Sequence, residues 1–516
     1  MDLESRIALF SQTLPQTTES LSHRYRGNKA MENGDYNKAY AEYSKGITIN
    51  PHDPALWCNR ALTFLKLGYP ELAIVDAQRT INTLDEFFRD YKNENSAMRI
   101  PPILKASEKL SIDQKMIQLK CKAKYRECLA LANLELYVCA TRSCKDLLKW
   151  KDLYADANVP FNWNDVQSLL ENFEKKFDEG CARIGYDRYS ELAENYGKYK
   201  FNGSYPWDSR QQNRASDETF DNLQQQILQA SYSQAKIVKM TFEESGEEIQ
   251  YGLEAQCIIP KHKVIFEEAP FISVNSKINE RCDYCNSEDF LLKYICPKSG
   301  CKEIFCNVNC YKRAYELYHK VTCGKDFSEI VEIVQNGVST SALTHLYPIK
   351  LFAIGKIRDI CPLDIDEIKH LRRWEHEYVT FQATMLYVYD KVMALLGIPI
   401  GDLRFDFWVF ISLCCAMQGN VFGDKTVNSV PDYSSIFTWI SLINHDCNPN
   451  AILEINESKW QLKANKKIRK GDAITLTYVG YTWMNNKDRC RMLYLFRGIK
   501  CKCENCIVYL DQLTRN

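Results

Sequence analysis

In the N-terminal third of the chain, small and aromatic residues return at a spacing of 34: Gly27 is matched by Ala61, Ala39 by Ala73, and Tyr43 by Ala77. That period predicts stacked helix pairs, in which small residues let backbones approach and each pair buries its apolar face against the next. Pro51 cannot continue a helix and ends the first pair. A third, less regular unit fits at 121–149, with Ala140 at the internal position of Ala39 and Ala73. An insertion of roughly thirty residues containing Pro101 and Pro102 precedes it, expected to be an extended helix and a loop. From 151 to 234 the pattern is helical and polar, and 203–221, rich in Gly, Ser, Asp and Gln, reads as a loop or linker. Beyond it the pattern turns to strand-like alternation, at 235–274 and again up to Tyr478. The longest apolar run, 407–417, is too short to span a bilayer. The expected fold is multidomain α+β: helical repeats first, a β-rich region after them.

Apolar residues make up 45% of the 516, charged residues 26% and aromatics 12%, which excludes a disordered or fibrous chain. Lys plus Arg equals Asp plus Glu at 66 each, so no overall basic field marks a nucleic-acid binder, and the basic run 463–470 reads as a solvated hairpin. The N-terminus, MDLESRIALF, lacks the basic-then-apolar order of a signal peptide. The expectation is a soluble monomer of the cytoplasm and nucleus, with neither a membrane nor a sequence-specific nucleic-acid partner. In a reducing compartment, 22 cysteines point to metal ligands before disulfides. Their clustering agrees: seven fall between Cys282 and Cys323, and three more at Cys501, Cys503 and Cys506.

The first cluster contains Cys282-x-x-Cys285, then Cys296 and Cys301, then Cys306-x-x-x-Cys310, then His319-x-x-x-Cys323. Eight ligands in four pairs suit two tetrahedral zinc ions. The run 307–320 reads as a helix that sets the last two pairs near its ends. The order and spacing resemble the MYND finger, although the second pair is separated by four residues (PKSG) where two are usual. The resemblance implies that Cys282, Cys285, Cys306 and Cys310 share one ion, and Cys296, Cys301, His319 and Cys323 the other. A finger of this kind also implies docking of corepressor or histone deacetylase complexes.

Downstream, the chain reads ISLINHDCNPNA from Ile440, then Lys470-Gly471-Asp472, then ITLTY ending at Tyr478, then Cys501-x-Cys503-x-x-Cys506. Together with the alternating segment ahead of the finger, this order resembles a SET methyltransferase domain interrupted by a MYND finger, as in the SMYD family. The 34-residue repeats resemble tetratricopeptides and point to the branch that carries them ahead of the catalytic domain. The resemblance implies a protein-lysine N-methyltransferase that uses S-adenosylmethionine. Asn444, His445, Asn420 in GNVF, and the backbone near Gly252 and Leu253 would contact the cofactor. Tyr478 would be the active-site tyrosine, also against the cofactor, and Cys447 would join Cys501, Cys503 and Cys506 around a third zinc.

On this reading the repeats occupy 1–150 and a connector 151–234. The SET domain begins at 235–278, the finger follows at 279–324, and a helical insert at 325–430. The SET catalytic part is 431–482 and the zinc tail 483–516. Two positions depart from the family pattern: Gln250 replaces the first glycine of the cofactor loop, and Asp472-Ala473 replaces an acidic pair. A side chain at 250 crowds close approach to the cofactor. The alternative function is therefore a non-catalytic adaptor on a SET scaffold.

Five further positions resemble the two-carboxylate clamp of chaperone-binding tetratricopeptide domains: Arg24, where that family usually has Lys, with Asn28, Asn59, Lys122 and Arg126. Cations and amide donors spaced along neighbouring helices can hold the terminal carboxylate and an Asp side chain of one peptide. The implied partners are acidic C-terminal peptides of heat-shock chaperones, beside the lysine-bearing protein substrate.

Overall fold

The computed structural model describes residues 16–92, 110–184, 216–241, 249–276, 280–288, 293–298, 300–337, 342–371, 383–423, 433–456 and 458–478, with Arg489, Leu493, Cys501 and Cys506. The chain forms two compact units. The first comprises Met1–Asn202, His376–Ala383 and Pro399–Trp408, and the second comprises the remainder.

The first unit is a stack of antiparallel helices: α1 (Gln16–Glu32), α2 (Tyr36–Ile49), α3 (Pro54–Leu67), α4 (Pro70–Lys92), α5 (Ile112–Asn133), α6 (Tyr137–Leu153) and α7 (Trp163–Ile184). Their boundaries follow local chemistry. Asp35 accepts from the Lys38 amide at 3.1 Å and Asp53 from the Ala55 amide at 2.9 Å, so two of the helices start on aspartate caps. Pro54 opens α3, and Gly68 closes it at φ 80°, a left-handed position that favours glycine. The 34-residue spacing lands on the packing surface as expected: Ala39, Ala61, Ala73, Ala77 and Ala140 are fully buried. A Cβ on Gly27 would stand 2.5 Å from the Tyr43 ring, so that glycine is required for space. The expected insertion with Pro101 and Pro102 lies outside the described residues, although α4 does run on for 23 residues.

Three expectations are corrected. The third unit begins at Ile112, well before 121, because Ser111 and Gln114 form a reciprocal capping box that starts α5 there. The repeat stack does not give way to a connector at 151. Helix α7 packs on α6 through Phe177 and Cys181 against Tyr137 and Val138. Its polar average conceals an apolar stripe of Val166, Leu170, Phe173, Phe177 and Cys181 at spacings of three and four, all buried. Finally, the stretch read as a loop up to 221 is helical from Asp217, where Ser216 caps α8 (Asp217–Ala230).

The second unit holds β1 (Ala235–Thr241), β2 (Ile249–Ala255), β3 (Val264–Glu268), β4 (Ile272–Asn275), β5 (Tyr294–Ile295) and β6 (Ile304–Phe305). A helix follows, α9 (Val308–Ala314), continued by a π turn at Tyr315–His319, as the 307–320 pattern predicted. The insert is helical: α10 (Ser328–Gly337), α11 (Tyr347–Arg358), α12 (Ala383–Leu396) and α13 (Phe407–Asn420). Phe352, Tyr389 and Phe410 lock it edge to face, with centroids 5.9–6.4 Å apart. The remaining strands are β7 (Phe422–Gly423), β8 (Tyr433–Ile436), β9 (Asn444–His445), β10 (Ala451–Asn456), β11 (Lys459–Ala464) and β12 (Ala473–Leu476). They make a four-stranded sheet in the order β1-β2-β12-β9, two three-stranded sheets, β10-β11-β3 and β4-β8-β7, and the β5-β6 pair. Ile237, Leu253, Phe266, Phe437, Ile443, Leu462 and Ile474 share the core between these sheets. No helix among the described residues is long and apolar enough to cross a membrane.

One buried ion pair holds the repeat unit. Arg60 grips Asp76 with Nε at 2.7 Å and Nη2 at 2.9 Å, and both side chains are almost wholly buried. Breaking such a pair strands a charge in the core. Asp76→Ala is expected to destabilise the chain by about 3–5 kcal/mol, read from urea unfolding followed by circular dichroism.

Candidate active site and metal centres

Strand β12 runs antiparallel to β2, with Ala473 opposite Glu254 and Ile474 opposite Leu253. On its other side it runs parallel to β9, with Thr475 opposite Asn444 and Leu476 opposite His445. This pairing brings Gly252, Asn444 and Tyr478 to one place. The Asn444 amide donates to the Tyr251 carbonyl at 3.2 Å. A Cβ on Gly252 would lie 2.7 Å from Asn444 Nδ2, so the absence of a side chain there keeps the cradle open. The Tyr478 hydroxyl donates to the Ile443 carbonyl at 2.5 Å, and Phe422 meets its ring edge to face at 6.4 Å. Leu253 is a core residue, leaving only its backbone for a ligand. Gln250 pairs with Met240 through the backbone.

Two more of the expected cofactor residues make contacts of their own. His445 Nδ1 accepts from the Tyr478 amide at 3.0 Å, and its Nε2 lies 3.3 Å from Cys447 Sγ. The ring is thus turned to the tyrosine backbone and the cysteine cluster. Asn420, at the end of α13, turns its amide back to the Ala416 carbonyl at 2.7 Å, and its own carbonyl accepts from Ser441 at 2.9 Å.

Two residues that the sequence patterns did not single out organise this region. Glu268 is buried and accepts from the backbone amides of Thr438 at 2.7 Å, Trp439 at 3.0 Å and Ile440 at 2.8 Å. It fastens the turn that leads into Ile443 and Asn444. The strand alternation carries a signal for it, since Glu268 falls on the same face as buried Phe266. Lys350 donates to the carbonyls of Ser273 at 2.8 Å and Asp283 at 2.6 Å, and to the Asp283 carboxylate at 2.9 Å, fixing the finger to β4 and α11.

The cysteines gather in the interleaved pattern. Cys282, Cys285, Cys306 and Cys310 form one group, and Cys296, Cys301, His319 and Cys323 a second, each with donor atoms within 4.8 Å of one another. Sulfur separations are 3.7 Å for Cys285–Cys306, 3.4 Å for Cys306–Cys310 and 3.6 Å for Cys296–Cys323. A tetrahedron with Zn–S bonds of about 2.3 Å has edges of about 3.8 Å, so these donor sets fit zinc. His319 Nε2 faces Cys296 and Cys301 at 3.4 and 3.7 Å, so it is the ring nitrogen that would ligate an ion there. In a third group, Cys447 lies 4.0 Å from Cys501 and 3.6 Å from Cys506, with His445 beside it. Cys503 lies outside the described residues.

In the repeat unit, Arg24 and Asn28 lie on α1, Asn59 on α3, and Lys122 and Arg126 on α5. Asn59 donates to Asn28 Oδ1 at 3.0 Å, Arg24 reaches the Asp53 carboxylate at 3.4 Å, and Arg126 donates to the Cys58 carbonyl. All five are at least partly exposed.

A sheet of this topology, with an asparagine, a tyrosine and a cysteine tail around it and a two-centre finger inserted, defines a SET-type site. Sequence comparison agrees: the SET domain matches residues 250–479 and the TPR repeat residues 27–68, so the chain carries both. It is 26% identical over 257 residues to histone-lysine N-methyltransferase ASHR1 of Arabidopsis thaliana, covering 47% of this chain and 50% of that protein. It is 24% identical to a SET and MYND domain-containing protein of Dictyostelium discoideum, covering 48% and 78%. The repeats are 36% identical over 76 residues to DnaJ homolog subfamily C member 7 of Mus musculus, 15% of each chain. The match thus spans about half the length of the plant relative.

Two measurements test this geometry. Cys310→Ser and Cys323→Ser are each expected to remove one zinc equivalent from the purified chain by elemental analysis, one from each finger centre. Burial pushes the Glu268 carboxyl up from 4.5 to about 7 against the pull of its three amide donors. A folded pKa above the unfolded one favours the fold below pH 4.5 and loses that contribution as pH rises through 7. The parent chain should therefore gain stability relative to Glu268→Gln as pH falls from 7.5 toward about 5, in paired thermal melts.

Proposed function

We propose that the chain is an S-adenosylmethionine-dependent protein-lysine N-methyltransferase whose helical repeats dock acidic C-terminal peptides of the kind heat-shock chaperones carry. The observation behind the first part is the convergence of Gly252, Asn444 and Tyr478 on adjacent strands. The backbone at Gly252 and Leu253 and the side chain of Asn444 would hold the cofactor, which when bound supplies a methyl group on a sulfonium centre.

The chain's own residues then have defined tasks. A free lysine has a pKa of about 10.4, so the site must favour the neutral amine by stripping water from it. Phe422 and Tyr478, which meet edge to face, supply an apolar aromatic wall for that purpose. The Tyr478 hydroxyl donates its hydrogen bond to the Ile443 carbonyl, so its oxygen lone pairs remain to accept from the amine and orient it. His445, accepting from the Tyr478 amide, fixes the backbone that carries the ring. Alignment of two held reactants supplies most of the acceleration, with no covalent enzyme intermediate. The metal centres brace the finger and tail. Exposed Ile295, Val308 and Tyr315 on the finger support corepressor docking there.

Calorimetry with S-adenosylmethionine on the zinc-loaded chain tests the reading. Binding is expected, and Gly252→Ala should weaken it by about tenfold or more, since the added methyl displaces the Asn444 amide. Tyr478→Phe should keep cofactor binding and lower methyl transfer about a hundredfold. Absence of binding with zinc retained would favour the adaptor reading, to which Gln250 lends support. For the repeats, a short peptide ending in Asp with a free carboxylate should bind. Lys122→Ala should weaken it about tenfold, and equal binding of the amidated peptide would refute the clamp.

A further inference from the structure

The carboxylate clamp, on whose reading the following rests, is not uniformly open. Arg24 is drawn to buried Asp53 at 3.4 Å, and Arg126 is drawn to the Cys58 carbonyl, so both guanidinium groups already serve acceptors of this chain. Lys122 is exposed and makes no hydrogen bond or ion pair among the described residues. Asn28 is exposed as well, and its two side-chain atoms are in opposite states. Its Oδ1 accepts twice, from the Tyr43 hydroxyl at 2.8 Å and from Asn59 Nδ2 at 3.0 Å. Its NH2 has no acceptor among the described residues.

Two donors converging on one amide oxygen fix which end of an asparagine is which. With the oxygen occupied, the group left for a ligand is the donor end, and a donor end selects an anion. Tyr43 itself is held hard. It is 1% exposed, and its ring lies across α1 where Gly27 has no side chain to obstruct it. Burial pushes its phenol up to about 12, so it remains a donor at any working pH. Asn59, by contrast, is partly exposed and donates from the surface.

We infer that Tyr43 is a positioning residue of the repeat groove: by occupying Asn28 Oδ1 it presents the Asn28 amide as a donor to the terminal carboxylate of a bound peptide. Tyr43 touches no ligand itself. Its contribution is preorganisation, which saves the ligand from having to turn the amide on binding. Phe at 43 would fill the same space against Gly27 while leaving Asn28 Oδ1 held only by the partly exposed Asn59, so the amide is less firmly oriented.

The experiment is a calorimetric titration of the full chain and of Tyr43→Phe with two short peptides ending in Asp, one with a free carboxylate and one amidated. The parent should prefer the free acid. Tyr43→Phe should lower affinity for the free acid about fivefold and leave the amidated peptide unchanged, narrowing the ratio between them. General loosening of the helices would lower both together and overturn the inference, as would an unchanged ratio in the variant. If the parent shows no preference for the free acid, the clamp reading fails and the inference with it, and this result is distinct from the other two. Asn28→Asp gives an independent check. It keeps the acceptor for Tyr43 and removes the NH2, so it should abolish the free-acid preference, and retention of that preference would also overturn the proposal.

Discussion

The site depends on a single short strand having the right two neighbours. Strand β12 is four residues long and takes β2 on one edge and β9 on the other, one antiparallel and one parallel. It brings together residues almost 200 positions apart, and the whole finger lies in the intervening sequence. Buried Ile474 and Leu476 anchor it to the core, so its register is set by burial rather than by hydrogen bonds alone. Gly252 follows from this closeness. Its backbone is ordinary strand, and what it provides is room, because Asn444 occupies the volume a methyl group would need. Gln250 lies one pleat repeat away and keeps regular pairing with Met240, so the family's usual glycine there is not needed for the strand itself.

The finger meets a different constraint. Among the described residues its only sheet is a pair of two-residue strands, too little to bury a core, so soft donors at fixed separations take over the work that apolar packing does elsewhere. Such an element could swing as a rigid body on its flanking strands. Lys350 counters that by delivering one ammonium to backbone oxygens of β4 and of the first knuckle and to the Asp283 carboxylate. The Tyr318 hydroxyl, 2.9 Å from the same carboxylate, completes the joint. A buried ammonium ringed by acceptors is costly to strip and tolerant of few geometries, which makes it a directional fastener.

What was legible in the sequence was whatever rests on local spacing. The 34-residue period and the cysteine pairs both survive in three dimensions because each is decided by local spacing along the chain. The interleaving of the two finger centres came from resemblance, and the coordinates of the eight donors agree with it. The failures have physical causes. Helix α7 was read as connector because its apolar stripe is narrow and its average polar, and α8 because a capped helix start looks like a loop in composition. Glu268 was passed over because a charged residue in a strand reads as solvent-facing until three backbone amides are found pointing at it. The direction of the His445 ring was not legible either. It depends on the cysteine cluster and on Tyr478, neither of which spacing can orient.

Two asparagines show how the same side chain is given opposite meanings by its surroundings. At Asn444 the amide NH2 donates to the Tyr251 carbonyl, which leaves Oδ1 as an acceptor. At Asn28 the oxygen is taken by Tyr43 and Asn59, which leaves the NH2 as a donor. An acceptor beside the β2–β12–β9 junction suits a ligand that brings N–H groups and positive charge. A donor in the helical groove, with Lys122 nearby on α5, suits one that brings carboxylates. Neither preference belongs to asparagine, whose two ends are nearly identical in shape. Each is imposed by a neighbour that is itself fixed, a strand carbonyl in one case and a buried phenol in the other. Recognition in both units is therefore decided one layer beneath the surface that a ligand touches.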